Sequence, residues 1–165
     1  MKTTDLLQEK QPILLSCAPF IPPYVREEVT ALGYDVMNEG YTTVETRGTF
    51  EDAIRLNIHL RSANHVYFLI QKFIAATIDD LYRTLRKISW EEILSVDGYF
   101  SVHSITDHPQ VLNTMFLNLR VKDAIADRFQ EVMNRRPDSG SEKDKAVIFL
   151  FWKDHEAFVY IDTTG

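Results

Sequence analysis

The residue types of a catalytic or metal site occur together in the stretch SVHSITDH, residues 101–108. Serine, histidine and aspartate are the side chains of a nucleophilic triad, but three neighbours in sequence seldom converge in space as a triad requires. His103 and His108 are five residues apart, a spacing that is not typical of metal ligands. The stretch therefore predicts neither a triad nor a metal centre.

Other catalytic motifs are also missing from the sequence. The six glycines form no G-x-G-x-x-G motif and no P-loop, and the single cysteine, Cys17, excludes a C-x-x-C pair. Neighbouring carboxylates occur in REE, residues 26–28, and in SWEE, residues 89–92, where solvated helix faces are the simpler interpretation. Binding is therefore the default functional class, and this chain alone is not expected to be an enzyme.

Basic residues stand out in one amphipathic segment, NLRVKDAIADRFQEV, residues 118–132, whose polar face opens with Arg120 and Lys122. The whole chain is acidic, with a formal net charge of −6 and a pI of about 5.3, which disfavours a general nucleic-acid binder. Two interpretations stay open: a local basic surface, or a solvated helix face with ion pairs such as Arg120 with Asp123.

Composition is that of a globular protein of a reducing compartment. The chain is 45% hydrophobic and 25% charged, which suits one substantial core or two small ones. No uncharged apolar window is long enough for a membrane span, and the polar start MKTTDLLQEKQP lacks the apolar run of a signal peptide. Cys17 lies in the apolar run ILLSCAPF, which predicts a buried thiol. We expect a cytoplasmic protein without a membrane partner.

The first half of the chain predicts strands that alternate with helices. The strands are predicted over residues 12–20, 42–48 and 65–75, and the helices begin after Ile21 and Thr49. Thr49 and Asp52 form a near-match to a capping box. The second helix has an apolar stripe predicted to comprise Ala53, Ile54, Ile58 and Leu60. The order β-α-β-α-β indicates a small ferredoxin-like unit.

The second half predicts a helix capped by Thr77, a helical turn at WEEIL, a strand over residues 99–105 and a long helix over residues 113–134. A polar loop, RPDSGSEKDK, then leads into a β-hairpin formed by AVIFLFW and AFVYID. The near-continuous apolar run of residues 146–152 indicates a strand buried on both faces. The core stripe of the long helix is predicted as Leu117, Val121, Ile125, Phe129 and either Val132 or Met133.

Six short pieces, in the same order and spacing, carry a resemblance to a known family. They are LNIHLRSANHVY, DDLY, ISWEEIL, FSVH, RVKDAI and VYIDTTG. Over residues 13–165 the sequence resembles the N-terminal half of the bacterial large-subunit ribosomal RNA guanine-N2 methyltransferases. This resemblance implies an α+β fold: a ferredoxin-like domain over residues 1–76, then a THUMP core over residues 77–165 with a mixed sheet and one long helix. A family profile of the THUMP domain would begin there or near Glu51.

The resemblance also implies a function. THUMP domains bind structured RNA and present it to a methyltransferase domain, so we expect large-subunit ribosomal RNA and a covalently linked methyltransferase domain as partners. S-adenosylmethionine is the cofactor expected for that domain, whose Gly-rich loop and Asn/Asp-Pro-Pro-Tyr motif do not occur in this chain. The chain is therefore expected to hold no cofactor itself and to be a part of a longer S-adenosylmethionine-dependent RNA methyltransferase.

The site residues implied by the resemblance are cations and small polar groups on two helices, and none of them is catalytic or a metal ligand. Cations on a shared surface contact phosphates, whereas small polar groups cap a helix or donate to a sugar or phosphate. The candidates are Asn113, Thr114, Arg120, Lys122, Arg128, Arg135 and Arg136 on the long helix and its ends, and Arg83, Arg86 and Lys87 on the preceding helix.

An alternative function remains open, in which a degenerate THUMP-like module docks another protein and binds no RNA. The net charge of −6 favours it. So do departures from the family, such as IPPY where the first helix usually opens with a Gly-Leu-Glu-type stretch. Docking requires an exposed apolar patch. The aromatic residues of the hairpin that offer one are Phe149, Phe151, Trp152, Phe158 and Tyr160, although the core needs most of them.

Overall fold

The computed structural model describes residues 7–141 and 145–164. They form two compact units. The N-terminal unit contains the described residues up to Ile70 together with Ile161–Thr164, and the C-terminal unit contains Gln71–Tyr160. No helix in the described part of the chain is both long and apolar enough to cross a membrane.

The N-terminal unit has the ferredoxin-like pattern that the sequence predicts, with one extra short strand. Its elements are β1 (Gln11–Ser16), α1 (Pro22–Ala31), β2 (Asn38–Glu39), β3 (Thr43–Gly48), α2 (Phe50–His59) and the first part of β4 (His65–Ile74). The strands follow the order β2-β3-β1-β4. Each neighbouring pair in this order is antiparallel.

Local sequence determines how the two helices of this unit begin and end. Two prolines occupy the first turn of α1, and Gly33, just beyond its end, has a φ of +92°. The capping box of α2 is confirmed: Asp52 N donates to Thr49 Oγ1 at 3.2 Å, and Thr49 N donates to Asp52 Oδ2 at 2.8 Å. Cys17 is buried as predicted, and burial raises the pKa of its thiol.

The predicted apolar stripe of α2 is partly wrong. Ala53 is fully buried, but Ile54 is 41% exposed and Ile58 is 72% exposed. Leu56, which the prediction left out, is fully buried, and Leu60 is half-buried. A helix turns 100° per residue, so Ala53, Leu56 and Leu60 share one face, from which Ile54 and Ile58 are rotated away. The sequence of α2 contains two overlapping apolar stripes, and the packing of the folded unit determines which of them is buried.

The segment Ile161–Thr164 belongs to the N-terminal unit because its backbone and side chains bond to β4 and α2. Thr163 N donates to Val66 O at 2.9 Å, and Val66 N donates to Thr164 Oγ1 at 2.9 Å. Asn57 Nδ2 donates to Thr163 O at 2.6 Å. The two compact units divide between Ile70 and Gln71, and the chain returns to the N-terminal unit at its described end.

The C-terminal unit contains a mixed sheet and two helices. After β4 come α3 (Ile78–Arg86), a 3-10 turn (Trp90–Glu92), β5 (Tyr99–Thr106), α4 (Thr114–Met133), β6 (Asp138–Gly140), β7 (Ala146–Lys153) and β8 (Glu156–Asp162). The strand order here is β4-β8-β7-β5-β6, and β5 pairs in parallel with both β6 and β7. A two-residue turn joins β7 to β8, which requires those two strands to be antiparallel.

The short strand β6 lies inside the segment that the sequence predicts as a polar loop. Its three residues, DSG, lack the β-branched and aromatic side chains that mark a strand, so their pattern gave no signal. Residues 142–144 of that predicted loop lie outside the described residues. The β7–β8 turn is formed by Asp154 and His155, both with positive φ, at 52° and 66°. This backbone is typical of a two-residue hairpin turn.

The long helix α4 covers one face of this sheet with a continuous apolar stripe. Its fully buried members are Leu117, Val121, Ala124, Ile125 and Phe129. Four of these confirm the prediction, but its last member is wrong, because Val132 is 48% exposed and Met133 is 45% exposed. The 20 residues of α4 extend about 30 Å, whereas the eight of β5 extend about 26 Å, so the last turn reaches beyond the strand that it covers.

The strand β7 is buried on both faces over most of its length, as predicted, with Val147, Ile148, Phe149 and Leu150 all at 6% exposure or less. Near its end, Trp152 is fully buried and donates from Nε1 to Ala75 O at 3.0 Å. The ring of His108 stacks on Trp152 with centroids 4.0 Å apart. This contact fixes the loop between β5 and α4 against the core.

Candidate nucleic-acid interface

The candidate cations lie mostly on the outer surface of α3 and α4, which we call the helix face. The two helices bear apolar residues on their inner sides, Leu81 and Leu85 on α3 and the buried stripe on α4. Their polar sides are therefore left to solvent. Thr77 caps α3, as the sequence predicts, and it also forms a complete capping box with Asp80.

The start of α4 is capped by one of the candidate residues. Asn113 Oδ1 accepts a hydrogen bond from Met115 N at 2.7 Å, so the side chain of Asn113 satisfies a backbone donor of the first turn. Thr114 is the first helical residue and is exposed. Of the two roles considered for this pair, the structure gives Asn113 that of the helix cap.

Arg120 lies between α4 and α3. Its guanidinium carbon is 4.3 Å from the centre of the Tyr82 ring, and its Nη2 is 3.8 Å from Asp79 Oδ1. Its ion pair is therefore with α3, rather than with Asp123 of its own helix as the sequence suggested. Arg120 also lines an open groove of about 560 Å³, whose other lining residues are Thr77, Ile78, Asp79, Gln110 and Phe116.

Tyr82 is the centre of a wider network on the helix face. Its hydroxyl donates to Asp127 Oδ2 and accepts from Arg86 Nη1 at 3.3 Å. Arg136 Nη2 donates to the other carboxylate oxygen of Asp127 at 2.8 Å. Arg86 is also 3.4 Å from Glu131. Arg86 and Arg120 thus contact Tyr82 directly, and Arg136 is linked to it through Asp127.

This network changes the acidity of its members. Burial raises the pKa of Asp127, but hydrogen bonds from Tyr82 and Arg136 outweigh it and hold that pKa below its usual value. The same hydrogen bond to Asp127, with some burial, raises the pKa of Tyr82. Asp127 is therefore an anion and Tyr82 a neutral donor at neutral pH, and the arginines around them are charged.

Arg128 points to a different place, the 3-10 turn after α3. Its Nε donates to Glu91 Oε2 at 3.0 Å and its Nη2 to Glu91 Oε1 at 2.8 Å. Both side chains are largely buried, at 23% and 18% exposure. A bidentate pair of this kind positions the turn against α4, so Arg128 is already occupied by a structural contact.

Two of the four remaining cations are also paired, at exposed positions. Arg83 pairs with Asp80, and Arg135 pairs with Asp97. Lys87 and Lys122 have no ion pair with any residue in the described ranges 7–141 and 145–164. The helix face is therefore a network of arginines and acids, with two lysines available beside it, rather than an uncompensated basic surface.

Two groups of residues on this surface were not predicted from the sequence. Tyr82 and the acids Asp79 and Asp127 complete the network, but their contacts join separate helices and follow from no local pattern. The second group is apolar and exposed at the start of α4. It comprises Leu112, Met115, Phe116 and Leu119, with exposures of 98%, 70%, 53% and 56%. Their helical spacing is visible in the sequence, but these residues lie beside the apolar stripe of α4 that is buried in the core.

The aromatic patch considered for the docking alternative is mostly core. Trp152, Phe149 and Tyr160 are buried, at 0%, 6% and 7% exposure, while Phe151 and Phe158 are half-buried. Within the described ranges, no group of three His, Cys, Asp or Glu side chains is placed to hold a metal ion.

The fold and the paired helices define a class of protein. Residues 75–162 match the THUMP domain, and residues 13–67 match the RlmL ferredoxin-like domain. The chain therefore belongs to the THUMP domain family, with a ferredoxin-like domain ahead of the THUMP domain.

Similar proteins indicate a narrower group within this class. The ribosomal RNA large subunit methyltransferase K/L of Psychrobacter arcticus is 29% identical over 157 residues, which are 93% of this chain and 20% of that protein. The chain thus spans about a fifth of such relatives and corresponds to their N-terminal region.

Solved structures share the fold. A possible methylase from Clostridium difficile 630 matches with a TM-score of 0.78 at 19% identity, over 93% of this chain and 41% of that one. A 4-thiouridine synthetase in complex with RNA and ATP matches with a TM-score of 0.58 at 11% identity, over 93% of this chain and 41% of that one.

The Glu91–Arg128 pair predicts a pH dependence of stability. Hydrogen bonds from Arg128 lower the pKa of Glu91, despite an opposing effect of burial. A carboxyl group with a lowered folded-state pKa stabilises the fold above its unfolded-state pKa of about 4.3, and this contribution is lost as the pH falls through the folded-state value.

We expect Glu91→Gln to unfold at a lower urea concentration than the parent chain at pH 7, and the difference to shrink as the pH is lowered toward 3. Asp123→Asn removes a carboxylate from an exposed position of α4 in the same unit, so it is the matched control and should change little. A difference between Glu91→Gln and the parent that is constant from pH 7 to 3 contradicts the assigned ion pair.

Proposed function

We propose that the chain is the RNA-binding, substrate-positioning module of an S-adenosylmethionine-dependent ribosomal RNA methyltransferase. The match of residues 75–162 to the THUMP domain is the observation that carries this proposal. The likeness to ribosomal RNA large subunit methyltransferase K/L proteins supports large-subunit ribosomal RNA as the target. Guanine N2 as the modified position and the cytoplasm as the location are further parts of the proposal. A linked methyltransferase domain is the second proposed partner.

The helix face is the part of the molecule proposed to contact RNA. Arg86 and Arg120 contact Tyr82, and Arg136 joins them through Asp127. Lys122 and Lys87 add charges without ion-pair partners in the described residues. Most of the arginine pairs are exposed and stabilise the fold by about 0–1 kcal/mol each. A phosphate group is therefore able to replace an acidic partner at small cost, while the same guanidinium remains in place.

The remaining candidates have smaller proposed roles. Asn113 and Thr114 lie at the N-terminus of α4, whose backbone dipole favours a phosphate, although the side chain of Asn113 already caps the helix. Arg83 and Arg135 are exposed and available for exchange. Arg128 is proposed to act indirectly, by holding the 3-10 turn against α4.

S-adenosylmethionine would supply the methyl group from a domain of its own. The residues of this chain do not fit that cofactor, because the scattered glycines form no Gly-rich loop. Among the described glycines, Gly33 is the one with positive φ, and it follows the end of α1. Binding and orientation of RNA, rather than a chemical step, are therefore the proposed contribution of this chain.

A docking module without RNA binding is the second candidate function. The exposed apolar residues Leu112, Met115, Phe116 and Leu119 favour it, because they lie together at the start of α4. The acid partners of the arginines favour it too, since they reduce the positive potential of the helix face. The salt dependence of RNA binding separates the two candidates.

If the helix face neutralises about four phosphates, the logarithm of the RNA association constant should fall with the logarithm of salt concentration with a slope of about −3. Filter binding or fluorescence anisotropy with a fragment of large-subunit ribosomal RNA measures this slope. A flat response would favour the docking module.

The double substitution Arg120→Glu with Lys122→Glu should abolish binding, because it reverses two cations of the helix face. Lys10→Glu with Arg61→Glu changes the net charge equally at exposed residues of the N-terminal unit and is the matched control. Equal losses in both double variants would mean that net charge, and not the helix face, governs binding.

Removing an acidic partner of an arginine should raise the RNA affinity, whereas removing a cation should lower it. Asp79→Asn removes the carboxylate that competes with phosphate for Arg120, so RNA affinity should rise about threefold, which corresponds to an exposed ion pair. Asp123→Asn removes a charge from α4 that forms no ion pair with Arg120 in the described residues, and serves as the control. If RNA affinity rises equally in both variants, the gain comes from general repulsion between acidic residues and RNA, and not from competition for Arg120.

A further inference from the structure

The C-terminal unit has a second sheet face, on the side opposite α4. Side chains alternate along a strand, and Ser104 of β5 points to the helix side, because its hydroxyl donates to Asn118 Oδ1 of α4 at 2.5 Å. His103 and Ile105 therefore point to the opposite side. Parallel register pairs them with Phe149 and Phe151 of β7, which share that side.

Aromatic rings cross this second face in two rows. The inner row runs from His103 to Phe149, with ring centroids 5.6 Å apart, and on to Tyr160 at 6.1 Å. The outer row runs from Ile105 through Phe151 to Phe158, whose rings are 6.1 Å apart.

A cation completes the outer row. Lys72 Nζ of β4 is 5.2 Å from the centre of the Phe158 ring. The outer row, defined as Ile105, Phe151, Phe158 and Lys72, thus crosses the strands β5, β7, β8 and β4.

Exposure increases from the inner row to the outer row. Phe149 and Tyr160 are 6% and 7% exposed, whereas Phe151 and Phe158 are half-buried, Ile105 is 50% exposed and the side chain of Lys72 is 53% exposed. The outer row therefore presents ring surface and a cation to solvent, while the inner row supports it from within the sheet.

We propose that the outer row binds unpaired nucleobases of the RNA, an inference that rests on the proposed function. Bases stack on exposed aromatic rings of a sheet, with a contribution of about 1–3 kcal/mol per base and little dependence on sequence. Phe151 and Phe158 offer two adjacent rings for this purpose.

Charge decides in favour of RNA over a protein partner. Lys72 lies over the Phe158 ring, and its distance to Glu156 is 4.0 Å, at the limit of an ion pair between two exposed side chains. An apolar protein surface placed here would desolvate both charges of this exposed pair, at a cost that their long contact offsets poorly. The phosphate that follows a stacked base can replace Glu156 as the partner of Lys72, because an exposed pair of this length contributes little to stability.

The outer row also lies at the end of the unit where α4 begins, the end of that helix nearer to Arg120 and Lys122. The strand β5 ends at Thr106, next to Ile105, and α4 begins at Thr114. The loop between them is fixed by His108, whose Nε2 is 2.8 Å from Ala76 O and whose Nδ1 accepts from Gln110 N at 3.2 Å. In a structured RNA with an unpaired end, the duplex would therefore contact Arg120, and the unpaired end would contact the outer row.

The test compares two RNA hairpins of identical stem, one blunt and one with a six-nucleotide unpaired 3′ extension. The parent chain should bind the extended hairpin about tenfold more tightly. Phe151→Leu with Phe158→Leu keeps apolar side chains and most of their volume but removes both rings, so it should lose this preference and retain its affinity for the blunt hairpin. Phe73→Leu changes a half-buried ring of β4 on the opposite side from Lys72, and should keep the preference.

The outcomes separate this inference from the proposed function. If the parent chain binds neither hairpin, the proposed function fails. If it binds both with equal affinity, or if the double variant keeps the preference, the outer row does not bind bases, although the proposed function stands. A double variant that loses affinity for both hairpins equally, or that changes the sedimentation coefficient of the free chain, also overturns the inference and points to a structural or protein-binding row.

Discussion

Burial of the α4 stripe is the constraint on which the surfaces of the C-terminal unit depend. Leu117, Val121, Ala124, Ile125 and Phe129 are all fully buried, and burial of each large side chain among them stabilises the fold by about 1.5–3 kcal/mol. Rotating α4 by one residue would turn this stripe away from the sheet. The same stripe therefore fixes which side of α4 meets α3 and which faces solvent, and with it the position of every candidate cation on the helix.

On the resulting helix face, most arginines are paired with acidic residues or with Tyr82. Asp127 joins Tyr82 to Arg136, and Tyr82 lies beneath Arg120, so the arginines are oriented before any ligand arrives. Side chains that are already ordered lose less conformational entropy on binding. An acidic chain with a net charge of −6 is compatible with RNA binding on this account, because the acids hold the arginines in place and are weak competitors for them.

Local signals in the sequence predicted the elements well, and contacts between distant residues account for what was missed. The capping box of Thr49 and Asp52 could be predicted because its two residues are three positions apart. Most of the α4 stripe could be predicted because its apolar residues repeat at helical spacing. Ile54 and Ile58 were misplaced because α2 has two apolar stripes. The strands β2 and β6 have two and three residues, too few to show a pattern. Arg128 was identified as a candidate, but its partner Glu91 lies 37 residues away and no local rule connects them.

The central claim is that the helix face contacts RNA, and the most direct measurement is nuclear magnetic resonance of the arginine side chains. The Nε–Hε resonances of Arg86, Arg120 and Arg136 report on the network around Tyr82, and that of Arg128 reports on its buried pair with Glu91. On titration with ribosomal RNA the account predicts that the first three shift together, while Arg128 changes little. Shifts confined to residues outside the helix face, with all four arginine resonances unchanged at saturating RNA, would contradict it.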